Sequence, residues 1–174
     1  MSFVSVSFRK FHDKLSMLLI LLTLLWIGNT SLWFDTATLS PPLFLSHRGV
    51  HQIYTGGAPV DDTCTASPVR PISHGFIENT IPSMRAAFEA GADVVELDVH
   101  LTQDGVFAVF HDWTLDCRTD GAGQTNQALF SDLQMLDAAY GYTADGMSFP
   151  LRGNGVGLIP SLTEVFDSFP EKQF

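Results

Sequence analysis

Two carboxylates on one predicted strand are the first residues in this sequence that could do chemistry. Glu96 and Asp98 lie two positions apart in the apolar run from Val94 to Val99. Side chains of a strand alternate between its faces, so both carboxylates are expected to point to the same side. Two like charges on an apolar strand repel each other unless a cation lies between them, and oxygen ligands suit Mg²⁺ or Ca²⁺. The pair therefore predicts a divalent-cation site, with a strand that has one solvated face as the alternative.

A predicted hairpin returns a histidine to this carboxylate pair. Asp104-Gly105 separates two β-prone runs, 94–101 and 106–111, and Asp-Gly in that position is a strong signal for a two-residue turn. Such a turn pairs Asp98 with His111, and paired residues share a face with Cβ atoms about 4.5–5.5 Å apart. A histidine beside two carboxylates is more typical of acid–base or metal chemistry than of a structural role. We therefore expect His111 to be functional.

A second histidine and an arginine follow another apolar segment. His47 and Arg48 come directly after the short run that begins at Leu43. The planar guanidinium group of an arginine matches the geometry of phosphate. His-Arg-Gly on its own is also a common way to enter a loop, so the tripeptide gains meaning only together with the carboxylates and His111.

The elements that must position these side chains alternate between strand and helix. The sequence predicts, in order, a tether over 35–42, a strand from Leu43, a helix capped by Asn79 or Thr80 and ended by Gly91, the hairpin, and helices over 131–136 and about 161–169. This alternation favours an α/β domain. The segment 50–77 shows no sustained periodicity, and loops of that length in a compact domain are usually functional or disordered.

The order of these motifs resembles that of the glycerophosphodiester phosphodiesterases. The matching segments lie between His47 and about Phe166 and are 47–49, 78–80, 91–99, 102–105 with His111-Asp112, 119–123 and 159–164. The resemblance implies a (β/α)8 barrel of the TIM type. It also implies hydrolysis of glycerophosphodiesters, which derive from phospholipids, to glycerol 3-phosphate and an alcohol, with a divalent cation as cofactor.

The resemblance further implies a role for each candidate residue. By this resemblance, the acid/base pair is His47 and His111, and the metal ligands are Glu96 and Asp98. The phosphate contact is Arg48. Glu78 matches a glutamate near the site, although its place before Asn79 fits a helix entry nearly as well. The sequence does not divide the acid and base roles, and we expect His111 to be the acid.

The chain departs from the family pattern in two ways. The loop between Gly49 and Glu78 is much longer than is usual in the family, which bears on substrate preference. A (β/α)8 barrel needs about 250 residues, whereas this sequence has 174. The family's third acidic metal ligand and a nearby lysine come from a strand later than any in this sequence. We therefore expect the N-terminal portion of a barrel over 43–174, with incomplete activity in the 174-residue chain.

Other functions compete with this one. Sphingomyelinase-D-like phospholipases share the fold and the chemistry but act on larger lipids, and a long loop suits such a substrate. A membrane-anchored fragment without catalytic activity is the alternative from a different class. The formal net charge of -10 argues against a nucleic-acid partner, because binding a phosphate backbone needs a basic surface.

An uncharged apolar segment precedes the predicted domain. Leu15 to Phe34 contains no charged residue, and about 20 apolar residues span a bilayer as a helix. The basic cluster within residues 1–14 predicts a cytoplasmic N-terminus and a transmembrane signal anchor. A cleaved signal peptide is the alternative, because the most apolar part, 17–27, has the length of a signal core. In either case the catalytic domain is predicted to lie outside the cytoplasm.

Export would make the two cysteines a candidate disulfide. Cys64 and Cys117 are the only cysteines in the sequence, and disulfides form in oxidising compartments. A bridge would join the long loop to the segment after the hairpin, whereas two unrelated thiols are the alternative.

Overall fold

The computed structural model describes residues 3–30, 41–57 and 63–174. It divides the chain into two compact units, Met1–Pro42 and Leu43–Phe174. All of the candidate site residues belong to the second unit.

The first unit contains one helix, α1, over Phe3–Asn29. It includes most of the predicted membrane segment at 15–34, while residues 31–34 and most of the predicted tether lie outside the described residues. Among the residues that the structure describes, no helix combines the length and the apolar character needed to cross a membrane. The predicted transmembrane helix therefore lacks support in the structure.

The second unit begins with two parallel strands joined by a helix. Strand β1 (Leu45–His47) pairs with β2 (Val94–Glu96), and helix α2 (Ile81–Glu89) lies between them in sequence. The register places His47 beside Glu96, so that both side chains leave the sheet at the carboxyl ends of the strands. On its other side, β2 makes a parallel bridge from Val94 to Gln173.

Local sequence determines where α2 begins. Thr80 has an extended backbone, and its hydroxyl accepts a hydrogen bond from the Ser83 N–H while the Ser83 hydroxyl pairs with the Thr80 N–H. This reciprocal capping box satisfies two N–H groups that have no partner within the helix. Pro82 occupies the first turn, where a missing N–H does no harm. The cap is thus Thr80 rather than Asn79.

The predicted hairpin forms, but its register differs by one residue from the prediction. Strand β3 (Val99–Leu101) pairs antiparallel with β4 (Phe107–Val109). The Phe110 N–H donates to the Asp98 carbonyl over 3.0 Å. Asp98 therefore lies opposite Phe110, and its predicted pairing with His111 is wrong.

A polar cluster inside the turn accounts for this shift. The Thr102 hydroxyl donates to Asp104 Oδ1 over 2.7 Å and accepts from the Val106 N–H over 3.0 Å. These contacts stabilise a wider turn, in which Gly105 adopts a φ of 80°. A three-residue loop that ends in the left-handed region is the next most common hairpin connection after the two-residue turn.

The predicted strand over 94–101 is interrupted at Leu97 and Asp98. Its first half, β2, belongs to the parallel pair, whereas its second half, β3, belongs to the hairpin. The change of partner lets the chain leave the parallel sheet directly after Glu96. Val99 and Leu101 of β3 are 41% and 51% exposed, although they belong to an apolar run.

Two short helices follow the hairpin, α3 (Phe130–Leu133) and α4 (Leu162–Ser168), the first after a 3₁₀ turn at Thr125–Gln127. Helix α4 begins with a second capping box, between Ser161 and Glu164. One apolar core, formed by side chains of α2, α4 and the strands, comprises Met84, Ala87, Val95, Val109, Val165 and Phe169. In β2, Val95 belongs to this core and is fully buried, whereas the side chain of its neighbour Glu96 is 38% exposed.

Candidate active site

His47 and Glu96 meet at the ends of the two parallel strands. His47 Nε2 lies 3.6 Å from Glu96 Oε2, and the two side chains are 56% and 38% exposed. The oxygen Glu96 Oε2 is itself buried and accepts no hydrogen bond from the described residues. A buried carboxylate oxygen without a donor is costly unless a cation or a ligand contacts it.

The backbone of Arg48 is fixed in an unusual conformation. Arg48 has a φ of 58°, its N–H donates to the Glu96 carbonyl over 2.8 Å, and its own carbonyl accepts from the Asn79 N–H over 2.9 Å. Gly49 follows with a φ of 76°, and a Cβ there would lie 2.6 Å from Ser83 Oγ. Only glycine fits this approach to the start of α2. His-Arg-Gly is therefore a structural unit that turns Arg48 back towards the site.

The guanidinium group of Arg48 lies between two carboxylates. Its Nη1 donates to Glu78 Oε1 over 3.1 Å, and its Nε lies 2.8 Å from Asp98 Oδ2. The Nε–H does not point at that oxygen, so this contact is an ion pair and the buried Nε–H has no acceptor among the described residues. The site thus contains one unsatisfied donor, on Arg48, and one unsatisfied acceptor, on Glu96.

Asn79 holds Asp98 in place. Its Nδ2 donates to Asp98 Oδ2 over 2.9 Å, and its Oδ1 accepts from the Asp98 N–H over 3.2 Å. Asn79 is 1% exposed and adopts a φ of 58°, a conformation that asparagine tolerates better than most residues. The pair Glu78-Asn79 therefore serves the site as well as the entry to α2, because each side chain contacts a different candidate residue.

His111 is oriented by the residue that follows it. Its Nδ1 lies 3.0 Å from Asp112 Oδ1, and Asp112 Oδ2 accepts from the Thr65 N–H over 3.1 Å. Burial alone would raise the pKa of Asp112, but the hydrogen bond with His111, the charge of Arg118 and the Thr65 N–H together lower it. Asp112 is therefore ionised and can only accept, so the proton of a neutral His111 is on Nδ1.

The two histidines line one cavity of about 270 Å³. Its described walls are His47, Arg48, His51, Gln52, Ile53, Tyr54, Thr63, Thr65, Glu78 and His111. The structure therefore brings together both predicted acid/base residues, the predicted phosphate contact and Glu78. The two predicted metal ligands are not among these walls, and they contact the cavity through His47 and Arg48.

The carboxylates fit a divalent cation only in part. Within the described residues, no group of three His, Cys, Asp or Glu side chains is placed to hold a metal ion. The unsatisfied Glu96 oxygen is a suitable hard ligand for Mg²⁺ or Ca²⁺. Asp98 Oδ2 is already engaged by Asn79 and Arg48. Glu96 is thus the better-placed of the two candidate ligands.

Cys64 and Cys117 form a disulfide with their Cα atoms 5.9 Å apart. The next residues along each segment, Thr65 and Arg118, are joined by a hydrogen bond of 3.3 Å from Arg118 Nη1 to Thr65 Oγ1. The bridge therefore fastens the long loop to the wall of the cavity that carries His111.

Sequence reasoning missed three residues that support the site: Asn79 as the partner of Asp98, Asp112 as the partner of His111, and the buried Arg118. Asp112 had a usable signal, because a buried carboxylate is a common partner for Nδ1 of a catalytic histidine and an acidic residue directly follows His111. Arg118 had none, since its contacts come from segments far away in sequence.

Comparisons with known proteins show which family the chain resembles. Residues 47–174 match the model of the glycerophosphoryl diester phosphodiesterase family. A glycerophosphodiester phosphodiesterase from Caldanaerobacter subterraneus is 40% identical over 97 residues, which are 56% of this chain and 37% of that protein. Human glycerophosphodiester phosphodiesterase 1 is 38% identical over 78 residues, which are 45% of this chain and 24% of that protein.

A solved structure gives the same result. The glycerophosphoryl diester phosphodiesterase domain of a Mycobacterium tuberculosis protein has a TM-score of 0.55 and 27% identity, and the match covers 77% of this chain and 42% of that one. This similarity supports the barrel fold. The chain spans less than half the length of these relatives. Since the family model matches most of the chain, the protein belongs to the glycerophosphoryl diester phosphodiesterase family.

Proposed function

We propose that this chain forms the histidine- and arginine-bearing part of an active site that hydrolyses glycerophosphodiesters to glycerol 3-phosphate and an alcohol. The observation that carries the proposal is the single cavity into which His47, Arg48 and His111 converge. Family membership supports the reaction class, and the names of the relatives support the substrate class.

Arg48 is the proposed phosphate ligand. Glu78 and Asp98 hold its guanidinium group from two directions, and its buried Nε–H has no acceptor among the described residues. Donors fixed in advance towards developing negative charge stabilise a transition state without reorganising. The non-bridging oxygens of the phosphodiester are the natural acceptors for the remaining guanidinium donors.

His111 is the proposed general acid and His47 the proposed general base. The buried Asp112 holds the ring of His111 through Nδ1, and a histidine held in this way could donate a proton to the leaving alcohol. His47 is half-exposed and open to the cavity. It would take the proton from the nucleophile, which is either water or the glycerol hydroxyl beside the ester.

Glu96, with Asp98 beside it, is the proposed holder of a divalent cation. A bound Mg²⁺ or Ca²⁺ would supply positive charge that offsets the charge building on the phosphoryl oxygens. The unsatisfied Glu96 oxygen is the feature of the structure that supports this assignment.

The experiment that tests the function follows sn-glycero-3-phosphocholine by ³¹P NMR in the presence of Mg²⁺ or Ca²⁺. It uses the 174-residue chain and a chimera in which residues 43–174 replace the matching segment of the M. tuberculosis domain. We expect glycerol 3-phosphate to form in the chimera, and the reaction to stop with EDTA. A folded chimera that binds glycerol 3-phosphate but never releases it from the diester would contradict the proposed catalysis.

We also propose that residues 43–174 lie outside the cytoplasm. The disulfide between Cys64 and Cys117 supports this location, because such bridges persist in oxidising compartments. Treating intact cells with protease and blotting for an epitope placed after Phe174 tests it. Protection of the epitope until the cells are lysed would contradict the location.

A further inference from the structure

Behind the cavity lies a buried arginine that the proposed chemistry does not use. Arg118 is 1% exposed and packs against the rings of Phe110 and Tyr142, with its Cζ 4.7 Å and 5.7 Å from their centroids. An arginine is almost never fully buried unless it is paired. Its partners therefore indicate what it does.

The main partner of Arg118 is Glu78. Arg118 Nη1 lies 3.3 Å from Glu78 Oε1, and Arg118 Nη2 donates to the Glu78 carbonyl over 2.9 Å. The oxygen Glu78 Oε1 is the same atom that accepts from Arg48 Nη1. One buried carboxylate oxygen is thus shared between a fully buried arginine and the arginine proposed to bind phosphate.

Sharing this oxygen changes what Glu78 can do to Arg48. A carboxylate facing a single arginine usually takes two parallel hydrogen bonds from it, which occupies one whole edge of the guanidinium group. Here Arg118 holds Glu78 by both its carboxylate and its backbone carbonyl, so Arg48 reaches Glu78 through Nη1 alone. The other donors of Arg48 stay directed away from Glu78.

We propose that Arg118 is a positioning residue, which fixes Glu78 so that Glu78 orients Arg48 without occupying the donors that bind phosphate. Arg118 touches no substrate in this arrangement and acts only through Glu78. The inference rests on the proposed phosphate-binding role of Arg48. It adds the cause of that role, which is a second guanidinium group behind the site.

The test measures binding of sn-glycerol 3-phosphate to the purified 174-residue chain by titration calorimetry. Replacing Arg118 with methionine keeps an apolar side chain against Phe110 and Tyr142 but removes the hydrogen bonds to Glu78. We expect the dissociation constant of Arg118→Met to rise about tenfold, and Arg118→Lys to restore part of the loss because one charged hydrogen bond can re-form. Arg152→Met is the matched control, since Arg152 also stacks on two rings, Tyr140 and Phe149, but is exposed.

A double-mutant cycle separates positioning from simple loss of structure. If Arg118 acts through Glu78, adding Arg118→Met to Glu78→Gln should change the dissociation constant by less than about twofold, since the effects of coupled residues do not add. Additive effects of the two substitutions would overturn the inference. Thermal melts followed by circular dichroism identify variants that do not fold. If Arg118→Met does not fold, Arg118→Lys provides the test, and a wild-type dissociation constant in that variant would contradict the inference.

The same measurements distinguish failure of this inference from failure of the proposed phosphate-binding role of Arg48. If Arg48→Ala leaves the affinity for glycerol 3-phosphate unchanged, the proposed role of Arg48 is wrong. If Arg48→Ala weakens binding but Arg118→Met behaves like Arg152→Met, the role of Arg48 stands and the inference about Arg118 fails.

Discussion

The two histidines of the site are held by different kinds of structure. His47 ends a parallel strand, is 56% exposed and faces Glu96 across 3.6 Å without a hydrogen bond. His111 follows the hairpin, is 23% exposed and is bonded through Nδ1 to a buried carboxylate. We call the His47 half of the site the open side, because it is more exposed and has an unsatisfied acceptor on Glu96. We call the His111 half the closed side, because Asp112, Thr65 and the disulfide hold it.

This difference supports the proposed roles of the two residues. A histidine whose Nδ1 is held by a buried carboxylate keeps a fixed orientation, which suits a proton donor. His47 has no hydrogen bond to Glu96, and the buried Glu96 oxygen has no donor among the described residues. We therefore expect ligand binding to change the His47 side more than the His111 side.

Removing either histidine should have the largest effect on the proposed reaction. His47→Ala and His111→Ala are each expected to lower kcat by about 10²–10⁴-fold in the chimera, because general acids and bases contribute factors of that size. The control is His74→Ala, which changes a histidine of the transferred segment that does not line the cavity. Normal turnover in either variant, followed by ³¹P NMR, would remove that histidine from the mechanism.

Opening the disulfide should weaken the closed side. Cys64 and Cys117 are separated by 53 residues, and a bridge over a loop of that length stabilises by about 4 kcal/mol in the chain-entropy model. We expect the double variant Cys64→Ser/Cys117→Ser to lose a large part of that free energy in urea unfolding. Alkylation without prior reduction should modify neither cysteine of the wild-type protein, and mass spectrometry that finds two modified thiols would show that the bridge is absent.

Much of this arrangement follows from local sequence. Helix α2 begins at a predicted cap, α4 begins within one residue of its predicted start, and β1 lies within the strand predicted from Leu43. The run predicted as one strand over 94–101 contains β2 and β3. The resemblance of ordered motifs identified the family correctly. Patterns of this kind succeed because each depends on neighbours within a few positions along the chain.

The failures have long-range or side-chain causes. The register of the hairpin was missed because hydrogen bonds of Thr102 favour a wider turn than the Asp-Gly signal indicates. Arg118 was missed because its partners, Thr65 and Glu78, are distant in sequence. The membrane-spanning prediction for 15–34 is a different case, because it rested on hydropathy and residues 31–34 lie outside the described residues. No described helix has the length and apolar character that it requires, so the structure does not support it.

Replacing Asp112 should disturb the closed side by a smaller amount. The pKa of Asp112 is lowered in the folded protein from its ordinary value of 3.8, so its ionised form stabilises the fold above about pH 4. That stabilisation is lost as the pH falls through the lower, folded-state pKa. We expect Asp112→Asn to reduce the free energy of unfolding by about 2 kcal/mol at pH 7, the size of a hydrogen bond to a charged group.

The pH dependence provides the check on Asp112. The difference in unfolding free energy between wild type and Asp112→Asn should shrink as the pH falls from about 4 towards the lower, folded-state pKa of Asp112, because the unfolded wild-type chain then binds a proton that the folded protein does not. A difference that stays constant from pH 7 to pH 3 would show that folding does not lower the pKa of Asp112. The contacts of Asp112 with His111 and Thr65 would then not favour its ionised form.

The smallest expected effect concerns the open side and its cation. Glu96 Oε2 is buried without a donor, whereas Asp98 Oδ2 already accepts from Asn79. A cation at this site would therefore depend first on Glu96, and Glu96→Gln should weaken binding of Mg²⁺ or Ca²⁺ about tenfold, since an amide is an uncharged ligand. Calorimetric titration of the 174-residue chain measures the cation affinity directly.

Asp112→Asn is the matched carboxylate-to-amide control, because Asp112 belongs to the His111 side and its replacement should leave cation affinity unchanged. Equal affinities in wild type and Glu96→Gln would mean that the unsatisfied Glu96 oxygen does not bind the cation, and the two sides of the site would then differ only in exposure and in the hydrogen bond of His111 to Asp112.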